Sequence, residues 1–173
     1  MAQAEPRHYR LDPAHSFVHF EVLHFGTSTL RGRFGPLDGD VQIDPQAGTG
    51  YVGLTIPVAA VDTGMKVLDR RLCERDLLAC ADHPDAYFVA ERFAFAGEAV
   101  RELRGELTLR GVSQPLTLKA TRFHCYPHPM LKREVCGGDF EAELLRSDFG
   151  ARFGVAFVSD RVRLKIQVEG IRR

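Results

Sequence analysis

Apolar residues recur at every second position through most of this 173-residue chain, and that period limits what it can fold into. The segment RVRLKIQVEG shows it most plainly. Val162, Leu164, Ile166 and Val168 point one way, while Arg161, Arg163, Lys165, Gln167 and Glu169 point the other. Side chains on a strand alternate between faces, so this strand has one dry face and one wet face. A chain made mainly of such strands has to curl them around a shared apolar interior. That interior is either packed with side chains or left partly hollow, and eight-stranded barrels do both.

The same reading locates further strands. They run over Tyr9 to Phe25, Leu30 to Phe34, Leu37 to Ile43, Tyr51 to Val61, Ala86 to Phe95, Leu103 to Arg110, Leu116 to Cys125, Asp139 to Leu144 and Arg161 to Ile171. Gly35-Pro36 marks a bend between the second and third of these. Gly111 to Pro115 reads as a hairpin turn. The period changes once. From Asp62 to Ala81, Met65, Leu68 and Leu72 fall at helical spacing, with Asp62 or Thr63 as the cap. The pattern predicts an all-β fold, an antiparallel barrel of about eight strands with one helical insertion at about 62–81. The expected organisation is a flexible N-terminus, 1–8, followed by one domain, 9–173.

The formal net charge is zero. That argues against nucleic acid or an anionic membrane as the main partner, because both call for a concentrated basic surface. No apolar run approaches the roughly 18 residues of a membrane-spanning helix. The N-terminus has no charged start followed by an apolar run. AQAEP is similar to the polar stretch that follows a signal-peptidase cut. The expected location is therefore periplasmic, with the cytoplasm as the alternative.

Sixteen residues are expected on the lumen wall: Val18, Phe20, Val22, His24, Leu30, Phe34, Val52, Leu54, Ile56, Phe88, Leu107, Leu109, Leu118, Leu144, Leu164 and Ile166. His24, facing inward, is a candidate donor to a ligand's polar group or a structural histidine. His15 and His19 lie on the opposite face of the strand, which disfavours a common haem or metal site. Ser16 beside His15 is no triad, because adjacent strand residues face apart and no nucleophile elbow surrounds the serine. No catalytic group and no cofactor site stand out. Arg146 and Asp148 are expected to pair in a structural corner, with a ligand headgroup as the other partner for Arg146.

His124, Cys125, His128 and Cys136 form a denser cluster, and imidazole with thiolate suits zinc or copper. The favoured reading is a disulfide between Cys125 and Cys136, which sit at the two ends of a loop joining antiparallel strands. Cys73 and Cys80 would lie about 10 Å apart on a continuous helix. A break near Cys73 would allow a bridge, but the favoured expectation is that both are free and buried.

Several segments together resemble the YceI-like family of small lipid-binding proteins. They are YRLDPAHSFVHFEVLHFG, RGRFGPLDGDVQID, IPVAAVDTG, GELTLRGVSQPLTL and RSDFG, in that order from Tyr9 onward. The resemblance implies an extended lipocalin-like barrel, closed at one side by the helical insertion. It also implies a long apolar lumen that holds a polyisoprenoid, an isoprenoid quinone or another amphiphile without enzymatic turnover, and a two-fold dimer as the assembly. HCYPHPMLKREVCGG departs from the family's general pattern. A redox or haem- or metal-handling accessory role, using the histidines and the Cys125/Cys136 loop, is the alternative.

Overall fold

The computed structural model describes residues 5–173. Part of the expected flexible N-terminus, residues 1–4, lies outside the described residues. The strands are β1 (Arg7–Leu11), β2 (Phe17–His24), β3 (Ser28–Phe34), β4 (Asp38–Asp44) and β5 (Thr49–Pro57). A short helix, α1 (Lys66–Leu72), comes next. The chain continues through β6 (Asp85–Ala96), β7 (Ala99–Leu109), β8 (Val112–Pro127), β9 (Glu134–Leu145) and β10 (Arg161–Arg172).

Strand order runs β1-β4-β5-β6-β7-β8-β9-β10 and closes, because β10 also pairs with β1. Tyr9 thus faces Val41 on one side and Arg172 on the other. β2 lies on β10 beyond β1, with Val18 opposite Ile166, and β3 pairs with β2. β1 with β2, and β3 with β4, are therefore two staves that are each broken once. With the six unbroken strands they make a closed antiparallel barrel of eight staves.

The first break corrects the expected continuous strand from Tyr9 to Phe25. Pro13 has no amide to give a ladder, and the Asp12 carboxylate accepts from the Ala14 amide at 3.0 Å, turning Pro13–His15 into a 3-10 turn. Ser16 then pins the break. It is fully buried, accepts from the Glu169 amide at 3.3 Å and lies 3.4 Å from the Glu169 carbonyl. The second stave breaks at the cis Gly35-Pro36 bond.

Above that break β3 leaves β5. Its far edge is bridged by Arg33 and Asp62, which exchange backbone hydrogen bonds at 2.9 Å. Residues 58–63 and α1 fill the gap, so the helix covers one end of the barrel. The helix proper is shorter than the expected insertion, seven residues, and the chain beyond Leu72 runs in turns. Its capping also differs. Asp69, inside the helix, reaches back to accept from the Thr63 amide at 2.8 Å and the Thr63 hydroxyl at 2.7 Å. Asp62 instead accepts from the Gly64 amide.

The interior is built from the inward positions of every stave, among them Val18, Leu37, Ile56, Phe88, Leu107, Leu118, Phe140 and Ile166. Burying each such side chain fully contributes about 1.5–3 kcal/mol. Val162, Leu164 and Val168 share the inward phase of Ile166 yet keep accessible surface. They border empty space.

Candidate functional site: an apolar lumen in two chambers

The empty space lies along the barrel axis. At the α1 end is a partly open chamber with about 160 Å³ of room for the centre of a water-sized sphere. The whole non-atom space there is about 1070 Å³, some of it open to solvent. A smaller chamber of about 70 Å³ lies towards β1, bordered by Tyr9, Val41, Ile43, Phe93, Phe123 and Val168. Leu54, Leu118 and Ile166 border both. They form a waist. One water needs roughly 10–15 Å³ by the same measure, so the larger chamber is far more than a packing defect.

Of the residues expected on the lumen wall, all but His24, Leu30 and Val52 border the larger chamber. Val52 borders the smaller one. Leu30 packs beside Phe20, Val22 and Val61. His24 does not face the lumen: it is exposed at the end of β2, beside the Phe25 ring at 4.7 Å, because the strand leaves the barrel there. Phe20 projects inward over Gly32, its partner on β3, where a β-carbon would collide with the ring.

Sequence reasoning missed several wall residues. Ala86, Leu116 and Val162 lie two positions from Phe88, Leu118 and Leu164, so the strand period itself could have found them. Leu72, Leu77 and Leu78 come from α1 and the turn behind it, and Ala151 from the stretch before β10. For Leu77, Leu78 and Ala151 no period marks an inward face.

Arg146 corrects the expected pairing with Asp148, whose side chain is exposed. The buried Arg146 guanidinium instead donates to four carbonyls: Ala151 at 2.7 Å, Phe153 at 2.8 Å, Val158 at 2.9 Å and Ser159 at 3.0 Å. Burial lowers its pKa, and the Asp160 carboxylate opposes that shift. Burial also pushes Asp160 up, but the Ser147 hydroxyl and amide, together with Arg146, hold it below the ordinary carboxylate range. The arginine organises residues 151–159 over the chamber's edge.

Both cysteine pairs are bridged. Cys125 and Cys136 face each other across β8 and β9 with α-carbons 4.0 Å apart. The bridge ties up the thiolates that a metal site with His124 and His128 would need. Cys73 and Cys80 are bridged too, which overturns the expectation of free thiols. The helix ends at Leu72 and the chain doubles back. The Leu78 amide donates to the Leu72 carbonyl and the Cys80 amide to the Cys73 carbonyl, which brings the α-carbons to 4.9 Å.

On the outer surface, Asp12, His15 and Glu169 are a group whose ligand atoms lie within 4.8 Å of one another. His15 Nδ1 sits 2.7 Å from the Asp12 carboxylate, which raises the imidazole pKa; Glu169 adds to the shift. Ser16, beside it, has its hydroxyl engaged with backbone.

These features define a small closed antiparallel barrel with a partly hollow, apolar interior. The chain belongs to the YceI-like domain family, which it matches over residues 9–170. It is 32% identical over 174 residues to a UPF0312 protein of Pseudomonas aeruginosa strain LESB58, covering 99% of this chain and 90% of that one. It is 31% identical over 168 residues to Protein YceI of Escherichia coli O157:H7, covering 95% and 87%. BcnA of Burkholderia cenocepacia shares the fold at a TM-score of 0.76 and 24% identity, covering 92% of this chain and 98% of that one. A polyisoprenoid-binding domain from Saccharophagus degradans, implicated in plant cell wall breakdown, shares it at 0.67 and 19%, covering 95% and 98%. No helix among the described residues is long and apolar enough to cross a membrane, which leaves strand-spanning proteins unaddressed.

Proposed function

We propose that this protein binds, carries or stores a long-chain apolar molecule, a polyisoprenoid or isoprenoid quinone, without chemical turnover. The observation that carries the reading is the lumen: two apolar chambers that share Leu54, Leu118 and Ile166 in their walls. The mechanism is partition. A tail occupies the lumen, and its polar head stays near the α1 end.

The energetics favour such a guest. Each methylene moved from water into the lumen contributes about 0.8 kcal/mol. A long tail therefore binds even after the cost of its lost freedom. Few polar contacts are needed, and tails of similar bulk are poorly distinguished. The polyisoprenoid-binding domain from Saccharophagus degradans, alike in fold, supports this ligand class. Residues 9–173 act as one binding unit in this reading.

Two disulfides in so small a chain suit an oxidising compartment, so the periplasm is the proposed location. The Cys125–Cys136 bridge also weighs against a metal site built on those two thiolates.

The test is organic extraction of the purified protein and mass spectrometry of the extract, with added polyprenols offered to the emptied barrel. Recovery of an isoprenoid, or saturable uptake of one, is expected. The absence of both an extractable isoprenoid and uptake of added polyprenol would sink the carrier reading.

A further inference from the structure

Three separate stretches meet at the α1 end, and each exposes large apolar side chains. The turn after β2 supplies Phe25, the start of α1 supplies Met65 and Val67, and the stretch before β10 supplies Phe153 and Phe157. All five are 57–67% exposed. They are held in place. Phe25 stacks on Phe157 with ring centroids 5.5 Å apart, and its amide donates to the Phe157 carbonyl at 2.9 Å. The Arg71 guanidinium, tied to Asp76, lies 4.5 Å over the Phe153 ring and links that stretch to α1. The Arg146 bonds fix the same stretch from inside.

Large exposed apolar groups gathered in one place mark an interaction surface, whereas scattered ones do not. This one is continuous with the lumen. Ala151 borders the larger chamber two residues before exposed Phe153, and Leu72, the last residue of α1, borders it at the end opposite Val67. The exposed apolar stretches themselves, residues 23–28, 63–67 and 150–158, carry Lys66 and Arg152 and no acidic residue; Asp62, Asp69 and Asp160 flank them, with Asp69 3.9 Å from Lys66.

We propose that this rim is a membrane-docking surface that seats the α1 end of the barrel on an anionic phospholipid bilayer. Phe25, Phe153 and Phe157 enter the interfacial zone, and Lys66 and Arg152 meet lipid phosphates. The inference rests on the carrier reading for its purpose, since a docked barrel takes its tail directly from lipid without passing it through water. A chain of zero net charge does not bind a membrane by charge alone. Here apolar insertion is the main attraction and two cations bias it towards anionic lipid.

Flotation with vesicles provides the test, comparing phosphatidylglycerol-containing vesicles with pure phosphatidylcholine. The protein is expected to float with the former and more weakly with the latter. Phe25→Ser with Phe157→Ser is expected to weaken partition by about ten-fold or more. Lys66→Glu with Arg152→Glu should remove most of the preference for anionic lipid, about five-fold per site.

Met130→Ser with Leu131→Ser is the control. These residues are exposed in the β8–β9 loop beside Lys132 and Arg133, and their loss should leave flotation unchanged. Overturning results are wild-type protein that stays with the unbound fraction, flotation lost equally through the Met130/Leu131 pair, or a dimer in sedimentation velocity that Phe25→Ser with Phe157→Ser dissolves. Prenol uptake from dilute solution, measured on the same samples, separates the two readings. Uptake without flotation ends the docking proposal alone, and flotation with neither uptake nor an extractable isoprenoid ends the carrier reading alone.

Discussion

The Tyr9 hydroxyl donates to the Glu134 carboxylate at 2.5 Å, joining positions 125 apart in the chain across β10. Arg7 and Arg172 flank the same carboxylate at 3.9 Å and 3.6 Å. The Tyr9 ring borders the smaller chamber, so this contact helps close the end opposite α1.

That contact makes stability fall at high pH. Burial, and then the hydrogen bond and charge of Glu134, raise the Tyr9 pKa to about 12. An unfolded tyrosine ionises near pH 10. The folded state holds its proton longer, so this contribution is intact below about pH 10 and is lost as pH climbs towards 12. Urea midpoints measured across that window should drop more steeply for wild type than for Tyr9→Phe. Parallel slopes would remove Tyr9 from the account.

The two bridges should differ modestly in what they contribute. Closing the 11-residue step from Cys125 to Cys136 stabilises by about 2–3 kcal/mol, and the 7-residue step from Cys73 to Cys80 by about 2 kcal/mol. Paired Cys→Ser variants compared by urea unfolding give both values. The Cys73→Ser, Cys80→Ser variant should also release Leu77 and Leu78 from the lumen wall and raise hydrogen exchange in residues 73–80. Unchanged exchange there would show that the bridge does not hold this segment.

Inner and outer faces of neighbouring staves should respond oppositely. Phe20→Arg places a charge in the lumen wall and is expected to abolish prenol uptake. Arg163→Glu, on the outer face beside Glu143 at 3.2 Å, should leave uptake intact. Circular dichroism on both variants guards against trivial unfolding, and Phe20→Leu should retain partial uptake. Equal losses from Phe20→Arg and Arg163→Glu would mean that the faces are reversed.

The waist should discriminate by length. Leu118→Phe adds bulk where the chambers join, so a short prenol confined to the larger chamber keeps its affinity while a long one loses about ten-fold or more, the equivalent of two methylenes or so excluded from the lumen. Competition binding with a graded prenol series reads this directly. A uniform loss at all lengths would argue that no tail passes the waist.

Arg146→Ala should be among the costliest single changes. It strips four carbonyls of their donor at once, for a loss on the order of 3 kcal/mol. Arg146→Lys keeps the charge but not the planar fork, and should recover only part of that. Thermal unfolding ranks the three proteins. A lysine variant as stable as wild type would show that charge alone suffices.

Much of the barrel is legible in the sequence because strand period and barrel wall are the same regularity. The inward residues of β10 can be read from alternation alone, and the Cys125–Cys136 pairing comes from two strands meeting across one loop. Period fails where the backbone stops being a strand. His24 continues the phase of Phe20 and Val22, yet β2 leaves the barrel before reaching it. Leu77, Leu78 and the Cys73–Cys80 bridge depend on the reversal after α1, where Ala79 adopts a positive φ of 49° that no glycine or proline signals. Arg146 is legible as a special residue, but its partners are not, since backbone carbonyls carry no residue-type signature.

The closure of β1 onto β10 has a consequence for the protein when it is empty. A hollow with oily walls invites self-association if any strand presents free amides and carbonyls to a neighbour. Here the ring uses those groups internally, and Asp62 occupies part of the one stretch, β3, that leaves it. An empty barrel therefore offers an approaching copy no free strand edge apart from what Asp62 leaves uncovered on β3.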